Sequence, residues 1–222
     1  MFTVPHIRSF CLFAVSVFFC GACVSCANTT PELLSSNATV IFDYRDDASV
    51  PQMRLSVFAE TGSDVRRAEQ IRIASQTSGY EWTEEEPQLI GSGNRQWAGY
   101  TNFAVPESQQ FPQGQYDLFY TDAEEHTVQT SFSVAYPEKL TGSKSSDARS
   151  ILGASAKEML AVYMSDGTLI YYNTRKPEWK NDDSIWNDMK LASSIRICWT
   201  SSDGSVVCFM PAEERPSSAG KE

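Results

Sequence analysis

Apolar and polar residues alternate in short runs along the first two-thirds of this chain. That alternation leaves little besides antiparallel β-structure open to it. Met53, Leu55, Val57 and Ala59 are interleaved with Arg54, Ser56, Phe58 and Glu60, a period of two that buries one face of a strand. Similar runs follow at 70–74, 96–105, 115–120 and 128–136, after an opening run of Val40, Phe42 and Tyr44. Turn formers punctuate them: Gly62-Ser63-Asp64, Ser78-Gly79, Gly91-Ser92-Gly93-Asn94 and Pro112-Gln113-Gly114. About seven short strands at such spacing predict a mainly β, two-sheet sandwich.

The segment 111–122 sharpens this expectation. Gly114-Gln115-Tyr116 leads into Leu118 and Tyr120. It resembles the penultimate-strand signature of immunoglobulin-like and fibronectin-type modules, in which a tyrosine at the corner before the strand hydrogen-bonds a backbone carbonyl. The resemblance implies an immunoglobulin-like antiparallel sandwich over 39–137, with Tyr116 as the corner residue. The inter-sheet disulfide of antibody domains has no cysteines here to form it.

Beyond the sandwich, 138–154 reads as a serine-rich linker with a short helix near Ala148 and Leu152. Two hairpins follow, turning at Ser165-Asp166-Gly167 and at Ser202-Asp203-Gly204. Between them Ile185, Trp186, Met189 and Leu191 mark a short amphipathic helix that Asp183 or Ser184 can cap. Residues 155–211 are therefore expected to form a separate small antiparallel β domain with one helix. The charged, serine-rich stretch 212–222 is expected to be disordered.

Cys198 and Cys208 flank the second turn. A three-residue loop, with its glycine in the left-handed region, places Cys198 directly across from Cys208 at a separation a disulfide can close. A two-residue loop instead pairs Trp199 with Cys208 and sends the cysteines to opposite faces. The disulfide and the turn type stand or fall together, and an oxidising compartment favours the bridge.

That compartment follows from the first 26 residues. Arg8 precedes an apolar run and then Cys20, Cys23 and Cys26 among small residues, after which the chain turns polar. The apolar run falls short of the roughly 20 residues a membrane helix needs, so 1–25 reads as an export signal. The cysteines resemble the lipobox of bacterial lipoproteins in its relaxed, spirochaete-like form, without the usual leucine three residues upstream. The resemblance implies lipidation at Cys26, with Cys23 as the alternative, a polar tether over 26–38, and a cell-envelope location, periplasmic or surface-facing. Ordinary cleavage near Ser25 or Ala27, giving a secreted form, is the competing reading.

The chain carries a net charge of −10, and such a surface repels nucleic acid. Catalytic motifs are sparse. Past the signal the single histidine is His126, set in an acidic turn, and there is no nucleophile elbow, P-loop or dinucleotide fingerprint. One histidine cannot build a zinc site. The carboxylates at Asp43, Asp46 and Asp47 lack the ligand spacing of a calcium loop. No metal or cofactor is expected. The aromatics Tyr80, Trp82, Trp97 and Tyr100, flanked by polar residues, are the stronger lead, as a surface for a protein or a sugar. The sequence therefore points to a non-catalytic lipoprotein presenting an interaction module for a protein partner. A glycan-binding module on those four aromatics is the alternative, and an exported hydrolase using a carboxylate pair is the weaker one.

Overall fold

The computed structural model describes residues 30–106 and 109–216. The segments expected to carry the signal and the lipid site, including Cys23 and Cys26, lie outside the described residues. The strands in chain order are β1 (Leu33–Asp43), β2 (Gln52–Thr61), β3 (Ala68–Ser75), β4 (Glu81–Glu84), β5 (Gln88–Ser92), β6 (Arg95–Ala104), β7 (Gly114–Asp122) and β8 (Thr127–Val134). They continue as β9 (Lys157–Tyr163), β10 (Leu169–Asn173), β11 (Ser194–Thr200), β12 (Val206–Phe209) and the short β13 (Glu213–Glu214). Two short α-helices, α1 (Ala148–Leu152) and α2 (Asp182–Asp188), and three 3-10 turns at Val65–Arg67, Glu138–Gly142 and Ser145–Asp147 complete the described elements.

The first eight strands form the expected sandwich. One layer runs β1-β2-β6-β5 and the other β4-β3-β7-β8. This is the ABED and C′CFG arrangement of immunoglobulin-like folds, with β1 as strand A. Alternation drives it: Met53, Leu55, Val57 and Ala59 of β2 face Ile71 and Ile73 of β3 and Leu118 and Tyr120 of β7 in one buried cluster. The tyrosine corner is present, with the Tyr116 hydroxyl donating to the Pro112 carbonyl at 2.7 Å. A second tyrosine works beside it, Tyr136 donating to the Phe111 carbonyl at 2.7 Å. Strand β6 crosses β2 so closely at Gly99 that an added Cβ would lie 2.1 Å from the Val57 carbonyl oxygen.

The C-terminal strands do not form a separate domain. Strand β12 pairs in parallel with β1, Val40 opposite Val206 and Phe42 opposite Cys208. The bonds Val40 N–H to Ser205 O (2.8 Å) and Tyr44 N–H to Phe209 O (3.0 Å) begin and end that ladder. Among the described residues one sheet then runs β10-β9-β11-β12-β1-β2-β6-β5, with β13 paired to β11. The residues from Pro31 onward form one compact unit. A hairpin that looks self-contained in sequence still leaves an edge of unpaired N–H and C=O groups. Here β1 supplies the partner.

The opposing layer extends too. Side chains alternate across a strand, so Trp199 of β11 shares its face with Ile195. Trp199 packs on the sandwich core, and Ile195 packs on Ile185 and Trp186 of α2. The face of the large sheet that β3, β7 and β8 cover is thus covered further along by α1 and then α2. Asn181 caps α2 by accepting from the Ser184 N–H at 3.0 Å, earlier than the cap expected at Asp183 or Ser184.

Several other expectations are corrected. Residues 138–154 are no free linker: Leu140 and Ala148 are fully buried in the main core, and Ser143 and Ser145 hydrogen-bond Tyr44 and Asp47. The proposed tether ends early, because Leu33 already begins β1. Its polar residues are those of a strand half-open to water, as when Ser35 donates to Glu60 at 2.7 Å. Within the stretch expected to be disordered, residues 212–216 are described and held, the Arg215 guanidinium donating to the Lys190, Ala192 and Trp186 carbonyls, and 217–222 lie outside the described residues.

The disulfide is also overturned. Cys198 faces Phe209 and Trp199 faces Cys208, one residue off the register the bridge requires. Both thiols are free and fully buried. They lie on opposite faces, Cys208 in the sandwich core and Cys198 beside Ala161 and Val207 on the outer side. The turn chemistry explains the slip. Asp203 accepts from the Ser201 hydroxyl (2.6 Å) and from the Ser205 N–H (3.1 Å). The Ser201 hydroxyl in turn accepts from the Val206 N–H (3.0 Å). The loop closes on the Ser201–Val206 pair, with Gly204 at φ 78°, and the three-residue loop never forms.

Candidate functional site

The four aromatics singled out from the sequence do not make one surface. Tyr80 and Trp82, at the start of β4, stack at 5.6 Å with 14° between rings. Trp82 donates from its indole N–H to the Ala104 carbonyl at 2.8 Å and packs at 5.1 Å on Phe111. It closes the end of the sandwich, while Tyr80 reaches Gln109 through its hydroxyl at 2.9 Å. Tyr100 lies edge-on to Phe103 at 5.2 Å, against the core. Trp97 is on the other side of the large sheet, under the Arg95 guanidinium at 4.7 Å. Tyr80–Trp82, Tyr100 and Trp97 therefore occupy three different places.

Trp97 leads to a feature the sequence reading passed over. Its cross-strand neighbour is Ile90 of β5, and Leu89 pairs with Ala98. Strand β5 ends the large sheet, and every one of its residues is exposed. Leu89 and Ile90 keep 46% and 45% of their surface open. The segment Gln88-Leu89-Ile90-Gly91-Ser92 carries no charge, with Glu84–Glu86 and Pro87 standing only before it, so the strand itself has no lysine or inward charge of the kind that usually protects an edge. The other end of the sheet, β10, is also uncharged, but it half-buries Ile170 and Tyr171 against the second core. On the smaller sheet, β4 carries Glu81 and Glu84.

A second feature lies on the outer face of the large sheet, where β1 joins β2 to the C-terminal strands. Asp43 projects there between two arginines. Arg54 of β2 meets its Oδ2 at 2.7 Å and Arg196 of β11 meets its Oδ1 at 2.6 Å. Arg45 stands nearby, donating to Gln52 at 2.7 Å. Together with Asn102 these residues line a groove of about 520 Å³. Alternation in the sequence puts Arg54 on the outer face, but only the β1–β12 pairing brings Arg196 to it.

Groups expected to be chemically silent have structural surroundings. His126 sits in the turn between β7 and β8, whose organiser is the nearly buried Asp122. Its Oδ1 accepts from the N–H groups of Glu124 (3.0 Å) and His126 (2.9 Å), and its Oδ2 from Arg67 (2.8 Å). Burial pushes the Asp122 carboxyl up, but the two N–H groups and the Arg67 guanidinium outweigh it and hold the group below its ordinary range. The turn is made with Glu125 at φ 65°. Burial pushes the Cys198 and Cys208 thiols up to about 12, which removes the thiolate a reactive cysteine needs. No group of three or more potential metal ligands occurs among the described residues. None of the described helices is long and apolar enough to cross a membrane.

Comparison with protein-family models, with curated proteins and with solved structures returns no match.

Proposed function

We propose that this protein is a non-catalytic interaction module, exported and held at a membrane by lipid on Cys26 or Cys23, and that its β5 edge docks an extended segment of a protein partner. One observation carries the reading: the uncharged, exposed edge strand β5, with Ile90 beside Trp97 on one face and Leu89 on the other. Such an edge offers a row of free backbone donors and acceptors for strand addition, and alternate side chains of the incoming segment would meet Ile90 with Trp97 on one face and Leu89 on the other. The glycan reading needed a joint platform from Tyr80, Trp82, Trp97 and Tyr100, and their separation takes that support away.

A photo-crosslinking residue at Leu89 of the full chain, in the cells that make it, tests the docking. A discrete protein adduct is expected, absent when the probe stands at Tyr172 on the opposite edge and lost when Ile90→Lys places a charge on the strand. No adduct at Leu89, or one that survives Ile90→Lys, would contradict it. Mass spectrometry of the mature N-terminus tests the anchor: an acylated Cys26 or Cys23 supports it, and an unmodified terminus near Ala27 or Asn28 refutes it.

A further inference from the structure

We propose that the arginine-floored groove on the outer face of the large sheet binds the oxyanion of a small ligand, a carboxylate or a phosphate. The groove is distinct from the β5 edge, since no β5 residue lines it.

In a chain with a net charge of −10, a site where guanidinium groups outnumber carboxylates is unusual. Arg45, Arg54 and Arg196 share the 520 Å³ groove with a single carboxylate, Asp43. An adjoining groove of about 560 Å³ also includes Arg54 and Arg196, and adds Tyr163 and Glu214. Positive charge remains in excess even with Glu214 counted. Asp43 has no free oxygen to offset it, since one holds Arg54 and the other Arg196.

Two of the arginines, Arg196 and Arg54, are also held in place. Arg196 donates Nε to the Met210 carbonyl at 2.7 Å and Nη2 to Asp43, Tyr44 O and Phe209 O. Its Nη1 meets no acceptor among the described residues. Arg54 uses only Nη2, on Asp43, and Arg45 only Nη2, on Gln52. Here several N–H groups face solvent from forks whose planes are already set, with the Arg54 and Arg196 side chains 25% and 16% exposed. A fixed guanidinium fork matches the paired oxygens of a carboxylate or phosphate. At about 520 Å³ the groove has room for more than a bare ion, so the ligand is read as an oxyanion carried on a small organic body.

Calorimetric titration of the purified protein with sodium glucuronate, inorganic phosphate and neutral glucose, at matched ionic strength, tests this. Saturable binding of glucuronate or of phosphate is expected, and the tighter of the two names the oxyanion. Arg54→Gln and Arg45→Gln should each weaken it at least tenfold. Arg149→Gln, on α1 over Trp199, should leave it unchanged. Should Arg54→Gln fail to fold, Arg45→Gln decides, because that side chain bonds only the neighbouring Gln52. No saturable binding of either anion, equal binding of glucose, or binding unaltered by Arg45→Gln would overturn the proposal.

Discussion

The sandwich and the C-terminal extension are built from the same material, short strands joined by glycine turns, yet they hold together differently. The sandwich buries a core between two sheets, with Leu55, Ile71, Ile73, Leu118 and Tyr120 all fully buried. The extension has one sheet and a seven-residue helix, and its own cluster is small: Leu160, Val162 and Ile195 against Trp179, Ile185 and Trp186. That cluster of seven buried residues is far smaller than the sandwich core, so the extension has less apolar burial of its own to hold it. Pairing β12 with β1 satisfies an open sheet edge and places Val206 and Cys208 in the sandwich core. An extension of this kind therefore draws stability through its seam with a neighbour.

The largest expected effect tests the stronger side of that comparison. Leu55→Ala removes a fully buried side chain from the centre of β2 and should cost about 3–4 kcal/mol, read as a lower midpoint in chemical denaturation. Because β2 pairs with β1, and β1 carries β12, signals from Trp179 and Trp186 in the extension should move with it. Loss of the sandwich signal while those tryptophans keep their midpoint would break the comparison.

A smaller effect isolates the corner. Tyr116→Phe removes only the hydroxyl that donates to the Pro112 carbonyl and should cost about 1–2 kcal/mol, since a largely buried acceptor is left unpaired. Unchanged stability would mean that Tyr116 acts through its ring alone, which stacks on Phe132 at 5.4 Å.

The smallest effect belongs to the extension's second turn. Hydrogen bonds from the Ser201 hydroxyl and from the Ser205 N–H and hydroxyl hold the Asp203 carboxyl at about 2, below its ordinary 3.8. A depressed carboxyl stabilises the fold above the unfolded value and loses that contribution as pH falls through the folded one. Amide protection near Ser205 and Val206, measured relative to the intrinsic exchange rate at each pH, should therefore fall between about pH 4 and pH 2, through a loss below about 1 kcal/mol at so exposed a site. Asp203→Ala should remove this pH dependence at the turn, and a turn that keeps it would place the titration elsewhere.

Much of the sandwich was legible in the sequence. Period-two runs mark β2, β3, β6, β7 and β8 because each has one wet face and one dry face, and Gly114-Gln115-Tyr116 marks the corner by a local hydrogen bond. Partner choice was not legible. The pairing of β12 with β1 joins Val206 to Val40 through backbone bonds that leave no pattern in either segment. With that pairing went the domain boundary, the linker at 138–154 and the convergence of Arg196 on Asp43. The disulfide failed on a single residue of register, which decides the face of every side chain and which the Asp203 bonds set. Strand β5 escaped because five exposed residues carry no alternation between wet and dry. The four aromatics are flanked by polar residues in the sequence, but which sheet face each occupies depends on pairings their neighbours do not encode.

The claim that sandwich and extension are one cooperative unit, joined by the β1–β12 ladder, is tested most directly by differential scanning calorimetry of the wild-type protein beside Ile195→Ala. Ile195 is buried wholly within the extension's own cluster. A single transition is expected in both, displaced as a whole to lower temperature in the variant by a loss of about 2–4 kcal/mol. Two resolved transitions, with only the lower one moved by Ile195→Ala, would show that the extension unfolds as a domain of its own.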